Sequence, residues 1–173
     1  MGAESVTVCF TGNPNCGKTT LFNAYTGAGK KTANWPGVTV ALSEGSLMHR
    51  GRLVHLVDTP GIYSLDPYTM EETVTRQCIR DQKADVIIHV ADALLLERSL
   101  FLTMQLLAEG KPLVLALNMM DLVRERGMDI DIGRLSRLLG GIPVIPVSAR
   151  RRTGLEELMD AAVEAARARR MAD

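Results

Sequence analysis

A glycine-rich loop constrains this chain more than any other feature of its sequence. Residues 12–19 read Gly-Asn-Pro-Asn-Cys-Gly-Lys-Thr and fit the pattern G-x-x-x-x-G-K-[ST]. The loop follows a strand-like run containing Val6, Val8 and Phe10, and it precedes a helix-like segment over residues 20–25. Consecutive backbone N–H groups in such a loop form a concavity for anions, and the following helix adds its positive end. The loop therefore predicts binding of a nucleotide polyphosphate.

Each position of this loop has a predicted role. Gly12 and Gly17 let the backbone wrap closely around phosphate, Lys18 reaches the β- and γ-phosphates, and the Thr19 hydroxyl is placed to bind Mg²⁺. Cys16 fits the loop as a small side chain. The predicted nucleotide contacts here are Gly12, Asn13, Pro14, Asn15, Cys16, Gly17, Lys18, Thr19 and Thr20.

The composition excludes several classes of protein. Twenty Lys and Arg against twenty Asp and Glu leave no net charge, which argues against a nucleic-acid partner. Three cysteines without C-x-x-C spacing indicate neither a disulfide framework nor a zinc site, and favour a reducing compartment. No run of about eighteen apolar residues is present, so the segment is not predicted to cross a membrane itself.

The order of short apolar runs and helical patterns predicts a single α/β domain over residues 1–173. We expect a mostly parallel, six-stranded sheet with one antiparallel strand, flanked by about five helices. Residues 27–36 lack any period and contain several breakers, so they are predicted to be a mobile loop. The runs at 38–42 and 53–57 predict an antiparallel hairpin that ends the sheet.

Asp58 ends one predicted strand and is followed by Thr59, Pro60 and Gly61. A carboxylate at this position can hold Mg²⁺, and the Gly61 N–H can face the γ-phosphate. Gly61 is then a sensor, because loss of the γ-phosphate removes the partner of its N–H group. An ordinary Asp-Pro-Gly turn is the alternative.

A second polar motif, Asn118-Met119-Met120-Asp121, follows another predicted strand. The Asp121 carboxylate can accept hydrogen bonds from N1–H and N2–H₂ of guanine, a donor pair that adenine lacks. Asn118 would contact the N7 edge of the base and tie its loop to the phosphate loop. An Asn at a strand end and an Asp that merely caps the next helix are the alternative. Ser148-Ala149-Arg150 follows the last strand, where the Ala149 N–H can meet guanine O6. Motifs at neighbouring strand ends meet in one crevice, so guanine is the predicted base.

The remaining catalytic candidates are Asn15 and Thr39. Thr39 follows the irregular loop and can complete the Mg²⁺ shell, although Thr32 competes for that role. Ras-type enzymes place a water-orienting glutamine after D-x-x-G, whereas this chain has Ile62. Asn15 can bind K⁺ against the β- and γ-phosphates, and slow unaided turnover is expected. The predicted catalytic set is Asn15, Lys18, Thr39 and Gly61.

These motifs resemble the amino-terminal GTPase domain of the bacterial ferrous iron transporter family, FeoB. The similarity covers nearly the whole chain, and it rests on residues 12–23, 34–39, 58–65, 67–68, 96–98, 102–107 and 117–121. It implies a Ras-like P-loop GTPase with switch segments at about 28–39 and 60–72. It also implies K⁺-stimulated hydrolysis with Asn15 at the K⁺ position. Met119 replaces the lysine of the usual N-K-x-D motif.

The resemblance also implies a location and a partner. The domain would lie at the cytoplasmic face of the bacterial inner membrane, attached to a membrane-embedded domain that conducts Fe²⁺. The helical and transmembrane domains of the family are absent from these 173 residues. We expect a monomer or a weak homo-oligomer formed through the C-terminal helix.

Three alternatives remain open from the sequence. The chain could be a nucleotide-sensing switch with negligible hydrolysis, in which occupancy alone does the regulating. It could be a soluble GTPase of ribosome assembly or tRNA modification, which a salt-sensitive RNA affinity would support. An adenylate-type P-loop kinase is the third, and preference for ATP over GTP would support it.

Overall fold

The computed structural model describes residues 4–34, 41–80 and 84–173. Its strands are β1 (Val6–Gly12), β2 (Lys31–Asn34), β3 (Ala41–His49), β4 (Arg52–Asp58), β5 (Val86–Asp92), β6 (Leu113–Asn118) and β7 (Val144–Pro146). Its α-helices are α1 (Lys18–Thr26), α2 (Met70–Arg80), α3 (Leu96–Ala108), α4 (Met120–Glu125), α5 (Ile132–Leu138) and α6 (Leu155–Ala172). Short 3₁₀ turns cover Gly27–Gly29 and Ala93–Leu95.

The strands form one seven-stranded sheet in the order β2-β3-β4-β1-β5-β6-β7. β3 pairs antiparallel with both of its neighbours, and every other pairing is parallel. β3 is therefore the single strand that runs against the other six. The parallel strands β4, β1, β5, β6 and β7 all end at one edge of the sheet, and the predicted polar motifs follow four of them at that edge.

Helices cover both faces of the sheet. α1 and α6 pack on one face over alternate residues of the strands, including Val8, Leu56 and Ile88. α2 and α3 cover the other face over the intervening residues, such as Cys9 and Ile87, and α4 and α5 pack near β6 and β7. Burial on both faces explains why the central strands read as continuous apolar runs.

The predicted fold class is confirmed, and three details of the prediction are wrong. The sheet has seven strands rather than six, because residues 31–34 form β2 inside the stretch predicted as a loop. The 38–42 and 53–57 hairpin does not end the sheet, since β2 lies beyond β3. A sixth helix, α4, begins directly after Met119.

β2 escapes sequence analysis because its pairing with β3 stabilises it rather than its own pattern. Its four residues show no alternation of apolar and polar side chains. The register places Lys31 opposite Glu44 and Thr32 opposite Ser43, so an opposite-charge pair and a hydroxyl pair face each other across the two strands. Residues 35–40, including Trp35 and Thr39, lie outside the described ranges.

No helix in the described part of the chain combines the length and the apolar character that a bilayer crossing requires.

Candidate functional site

The phosphate loop has the backbone shape that its glycines predict. Gly17 lies in the left-handed region with φ of 83°, and a Cβ atom there would collide with Nδ2 of Asn118. A Cβ atom on Gly12 would lie 2.5 Å from the carbonyl oxygen of Val90. Asn15 also has a positive φ, 65°, which asparagine tolerates better than most residues. Neighbouring groups therefore leave no room for a side chain at Gly12 or Gly17.

Lys18 lies in the loop with only 7% of its side chain exposed, and its ammonium forms an ion pair with Oδ1 of Asp58. The Thr19 hydroxyl lies 3.4 Å from Oδ2 of the same carboxylate. A hydroxyl and a carboxylate are the hard oxygen ligands that Mg²⁺ prefers, and they converge here beside the loop N–H groups. Thr19 and Asp58 therefore fit a magnesium ion.

The segment after Asp58 is fastened to the first strand on both sides of Gly61. Thr59 donates to the carbonyl of Phe10 through its N–H, at 3.2 Å, and through its hydroxyl, at 2.6 Å. The Ile62 N–H donates to the carbonyl of Gly12 at 3.0 Å. A Cβ atom on Gly61 would lie 3.0 Å from Cα of Pro14, so a larger residue would crowd the phosphate loop.

The side chain of Asn118 joins the phosphate loop to the end of the last strand. Its Nδ2 donates to the carbonyl of Cys16 at 3.0 Å, and its Oδ1 accepts from the Ala149 N–H at 3.0 Å. The predicted tie to the phosphate loop is therefore present. The Ala149 N–H, which the sequence assigned to guanine O6, has Asn118 as its partner in this structure.

Asp121 lies in the first turn of α4, with 10% of its side chain exposed. Nε of Arg151 lies 3.4 Å from its Oδ2, and the same guanidinium lies 2.6 Å from Oε1 of Glu125. Arg150 was the arginine predicted at this loop, whereas Arg151 makes these two contacts. The run of three arginines gave no signal for which of them faces the carboxylate.

Two cavities bring the predicted residues together. One, of about 370 Å³, is lined by Asn13, Pro14, Asn15, Gly17, Lys18, Thr19, Thr20 and Gly61. The other, of about 160 Å³, is lined by Gly17, Thr20, Asn118, Met119, Asp121, Leu122, Ser148, Ala149 and Arg150. Gly17 and Thr20 line both, so the cavities are adjacent parts of one cleft. Asn15 and Gly61 lie at one end of this cleft, and Asn118 and Asp121 lie at the other.

Some predicted residues lie elsewhere or outside the described ranges. Gly12 and Cys16 are buried within the loop and do not line the cavity beside it, and burial raises the pKa of the Cys16 thiol. Thr32, the competitor for Thr39, lies in β2. Thr39 itself falls in residues 35–40, which the structure does not describe. A larger cavity, of about 620 Å³, lies beside Thr7 and Asp85 and includes Gly29 and Lys31 of the predicted switch segment, but none of the phosphate-loop residues 12–19 or the predicted base-contacting residues lines it.

The family model for ferrous iron transport protein B matches residues 6–162 of the chain. The chain belongs to this family. The Fe(2+) transporter FeoB of Legionella pneumophila (strain Paris) is 47% identical over 151 residues, which is 85% of this chain and 20% of that protein. This FeoB-family chain therefore spans about a fifth of the length of the curated relatives it matches.

Solved FeoB structures share the fold. The cytosolic domain of T. maritima FeoB in a GDP form is 41% identical to this chain, with a TM-score of 0.90, covering 96% of this chain and 65% of that one. The GMPPNP form of the same protein is 42% identical, with a TM-score of 0.88 and coverage of 93% and 64%. The described FeoB-family fold thus matches relatives solved with a guanosine diphosphate and with a triphosphate analogue.

Proposed function

We propose that this domain binds GTP and hydrolyses it to GDP and phosphate. The observation that carries the proposal is the single cleft in which the phosphate loop and the predicted base-contacting residues meet at Gly17 and Thr20. The relatives solved with GDP and GMPPNP support the same ligand class. No other described cavity combines these two sets of residues.

Different residues of the cleft would contact the phosphates and the base of the nucleotide. The loop N–H groups and Lys18 hold the phosphates, and Lys18 exchanges its Asp58 partner for phosphate oxygens when nucleotide binds. Asp121 reads the guanine edge, and Met119 and Arg150 flank the base. Ser148 stays buried and accepts a hydrogen bond from the Arg151 N–H at 3.1 Å, which holds this loop in shape.

Metal ions complete the proposed site. Thr19, Asp58 and Thr39 would hold Mg²⁺, which neutralises charge that develops on the phosphate oxygens. Asn15 would hold K⁺ at the β- and γ-phosphates, where Ras-type enzymes receive an arginine. The side chain of Ile62 is 3% exposed and packs among apolar residues, so it cannot orient the attacking water. Because no side chain at this position orients the water, slow intrinsic turnover of GTP is expected.

We further propose that the domain regulates membrane transport of ferrous iron from the cytoplasmic side of the bacterial inner membrane. Family membership supports this role, because the relatives are named as Fe(2+) transporters. The GTP-dependent arrangement of the switch segments, about 28–39 and 60–72, would pass the state of the nucleotide to the iron-conducting domain.

Guanine specificity tests the proposal at Asp121. Asp121→Asn replaces an acceptor with a donor, so the variant should lose affinity for GTP and gain affinity for XTP. Loss of charge-assisted bonds worth about 1.5–3 kcal/mol corresponds to a decrease of roughly 10- to 150-fold for GTP. Titration with fluorescent GTP and XTP analogues measures both affinities, and phosphate release from GTP measures turnover.

Glu125→Gln is the matched control. It removes another carboxylate of α4 that also contacts Arg151, yet it does not line the cleft. It should leave the preference for GTP over XTP unchanged. Unchanged GTP affinity in Asp121→Asn would remove Asp121 from the site.

A further inference from the structure

The segment after Gly61 is packed closely against the protein, although it was predicted to be a switch. Ile62 and Leu65 are buried in one apolar cluster with Ile79 of α2 and Leu102 and Leu106 of α3. The guanidinium of Arg98, on α3, lies 4.9 Å from the centre of the Tyr63 ring. Residues 62–65 therefore rest on α3 through both apolar and cation–π contacts.

One amide side chain on α3 makes the polar part of this attachment. Oε1 of Gln105 accepts a hydrogen bond from the Leu65 N–H at 2.7 Å. Nε2 of the same side chain donates to Oγ of Ser64 at 3.3 Å. Ser64 Oγ in turn bonds with Oδ2 of Asp66 at 2.8 Å. Only a side chain with an acceptor and a donor at its tip can make both contacts with Ser64 and Leu65.

These contacts restrict where Gly61 can lie. Thr59 is bonded to Phe10 on one side of Gly61, and Ile62 is bonded to Gly12 on the other. Gln105 is hydrogen-bonded to Ser64 and Leu65, which lie three and four residues after Gly61. In this attached arrangement Gly61 lines the same cavity as Lys18 and Thr19. Gly61 therefore lies beside the phosphate loop while residues 64–65 are bonded to α3.

We propose that Gln105 is a positioning residue for the γ-phosphate. Its amide holds residues 64–65 on α3 and thereby keeps Gly61 beside the phosphate loop, ready to meet a third phosphate. This role rests on the proposed binding of guanosine triphosphate. It predicts a selective effect, because GDP has no γ-phosphate for Gly61 to meet and should bind whether or not the segment is attached.

Gln105→Met tests the role, because methionine has similar volume and cannot make either hydrogen bond. The variant should bind GMPPNP about tenfold more weakly than the wild type, while its affinity for GDP changes by less than twofold. Ser64→Ala removes one of the two contacts and should weaken GMPPNP binding by a smaller factor. In the double variant the effect of Ser64→Ala should shrink, because the Gln105 amide that contacts Ser64 is already absent.

Met104→Ala is the matched control on the same helix. Met104 is exposed and lines neither cavity of the cleft, so both affinities should match the wild type. Equal weakening of GDP and GMPPNP in Gln105→Met would show a purely structural role and overturn the inference. Unchanged or tighter GMPPNP binding would overturn it as well.

The wild-type titration separates this inference from the proposed function. If the wild type binds neither GDP nor GMPPNP, the proposed function itself fails. If the wild type binds both and Gln105→Met does not discriminate between them, only the role of Gln105 fails. If Gln105→Met does not fold, Ser64→Ala provides the test. Equal weakening of GDP and GMPPNP binding in Ser64→Ala would then overturn the inference.

Discussion

His89 is a buried histidine in the middle of β5 that serves no part of the nucleotide cleft. Its Nδ1 lies 3.0 Å from the Thr103 hydroxyl, and its Nε2 has no hydrogen-bond partner within the described ranges. Burial lowers the pKa of this imidazole from about 6.5 to about 3. The folded protein therefore keeps His89 neutral under conditions in which the unfolded chain takes up a proton.

This difference predicts a loss of stability in acid. Between pH 6.5 and 3 the unfolded state binds the proton and the folded state does not, so the free energy of unfolding falls as the pH falls. His89→Leu removes the titrating group and the unpartnered Nε2, and Thr103 keeps its bond to the Ser99 carbonyl. Urea unfolding at pH 7, 6, 5 and 4 should show a shallower decline in the variant. Parallel declines would contradict the assignment to His89.

Asn15 provides a second prediction at the scale of a single residue. It lines the phosphate cavity with an exposed side chain and a left-handed backbone. If its oxygen holds K⁺ in the GTP complex, then Asn15→Ala should lose any stimulation by K⁺ while retaining the rate seen in Na⁺. Single-turnover hydrolysis in each salt measures this. Asn23→Ala, on α1 and outside the cleft, is the control, and equal rates in K⁺ and Na⁺ for the wild type would remove the role of Asn15.

At the scale of elements, α6 is attached to the turn between β3 and β4. The Asp160 carboxylate of α6 lies 2.6 Å from Nε2 of His49 and 2.6 Å from Nε of Arg50, and Glu156 lies 3.1 Å from the Arg50 guanidinium. These bonds hold the pKa of Asp160 well below its usual range. The turn that joins β3 and β4 is thereby tied to the last helix of the chain.

Removing the carboxylate should loosen this attachment. Asp160→Asn should lower the melting temperature at low salt, and the difference from the wild type should shrink in 1 M salt, because exposed ion pairs are screened. Glu164→Gln removes a carboxylate on the exposed face of the same helix and should have a smaller effect. Thermal unfolding of the three proteins at two salt concentrations makes the comparison, and a salt-independent difference would argue against an electrostatic attachment.

Helix starts show how far local sequence predicts an element. Helix α2 begins at Met70, where Thr69 and Glu72 form a capping box. The Glu72 carboxylate accepts from the N–H groups of Tyr68 and Thr69, and the Thr69 hydroxyl accepts from the Glu72 N–H. Such a signal lies within four residues of sequence. β2, by contrast, depends on a strand about ten residues away and had no local signal.

At the scale of the whole molecule, the cleft was the most predictable part of the protein. Each motif is short and continuous, and each follows an apolar run that is long enough to be identified as a strand. Parallel strands end at one edge of a sheet, so the meeting of Gly17, Asn118 and Ala149 followed from the order of the motifs. The contacts of Thr59, Arg151 and Gln105 were missed, because their partners lie between 26 and 49 residues away in the sequence.

The sequence by itself determined the fold class, the phosphate loop and the set of strand ends that form the cleft. These depend on spacing and periodicity, which are local properties of the chain. Only the tertiary structure decided that β2 extends the sheet and that the Ala149 N–H donates a hydrogen bond to Asn118. It also decided that Gln105 holds the segment after Gly61 on α3. Those contacts join residues far apart in sequence, so they are formed only when the packed elements bring the partners together.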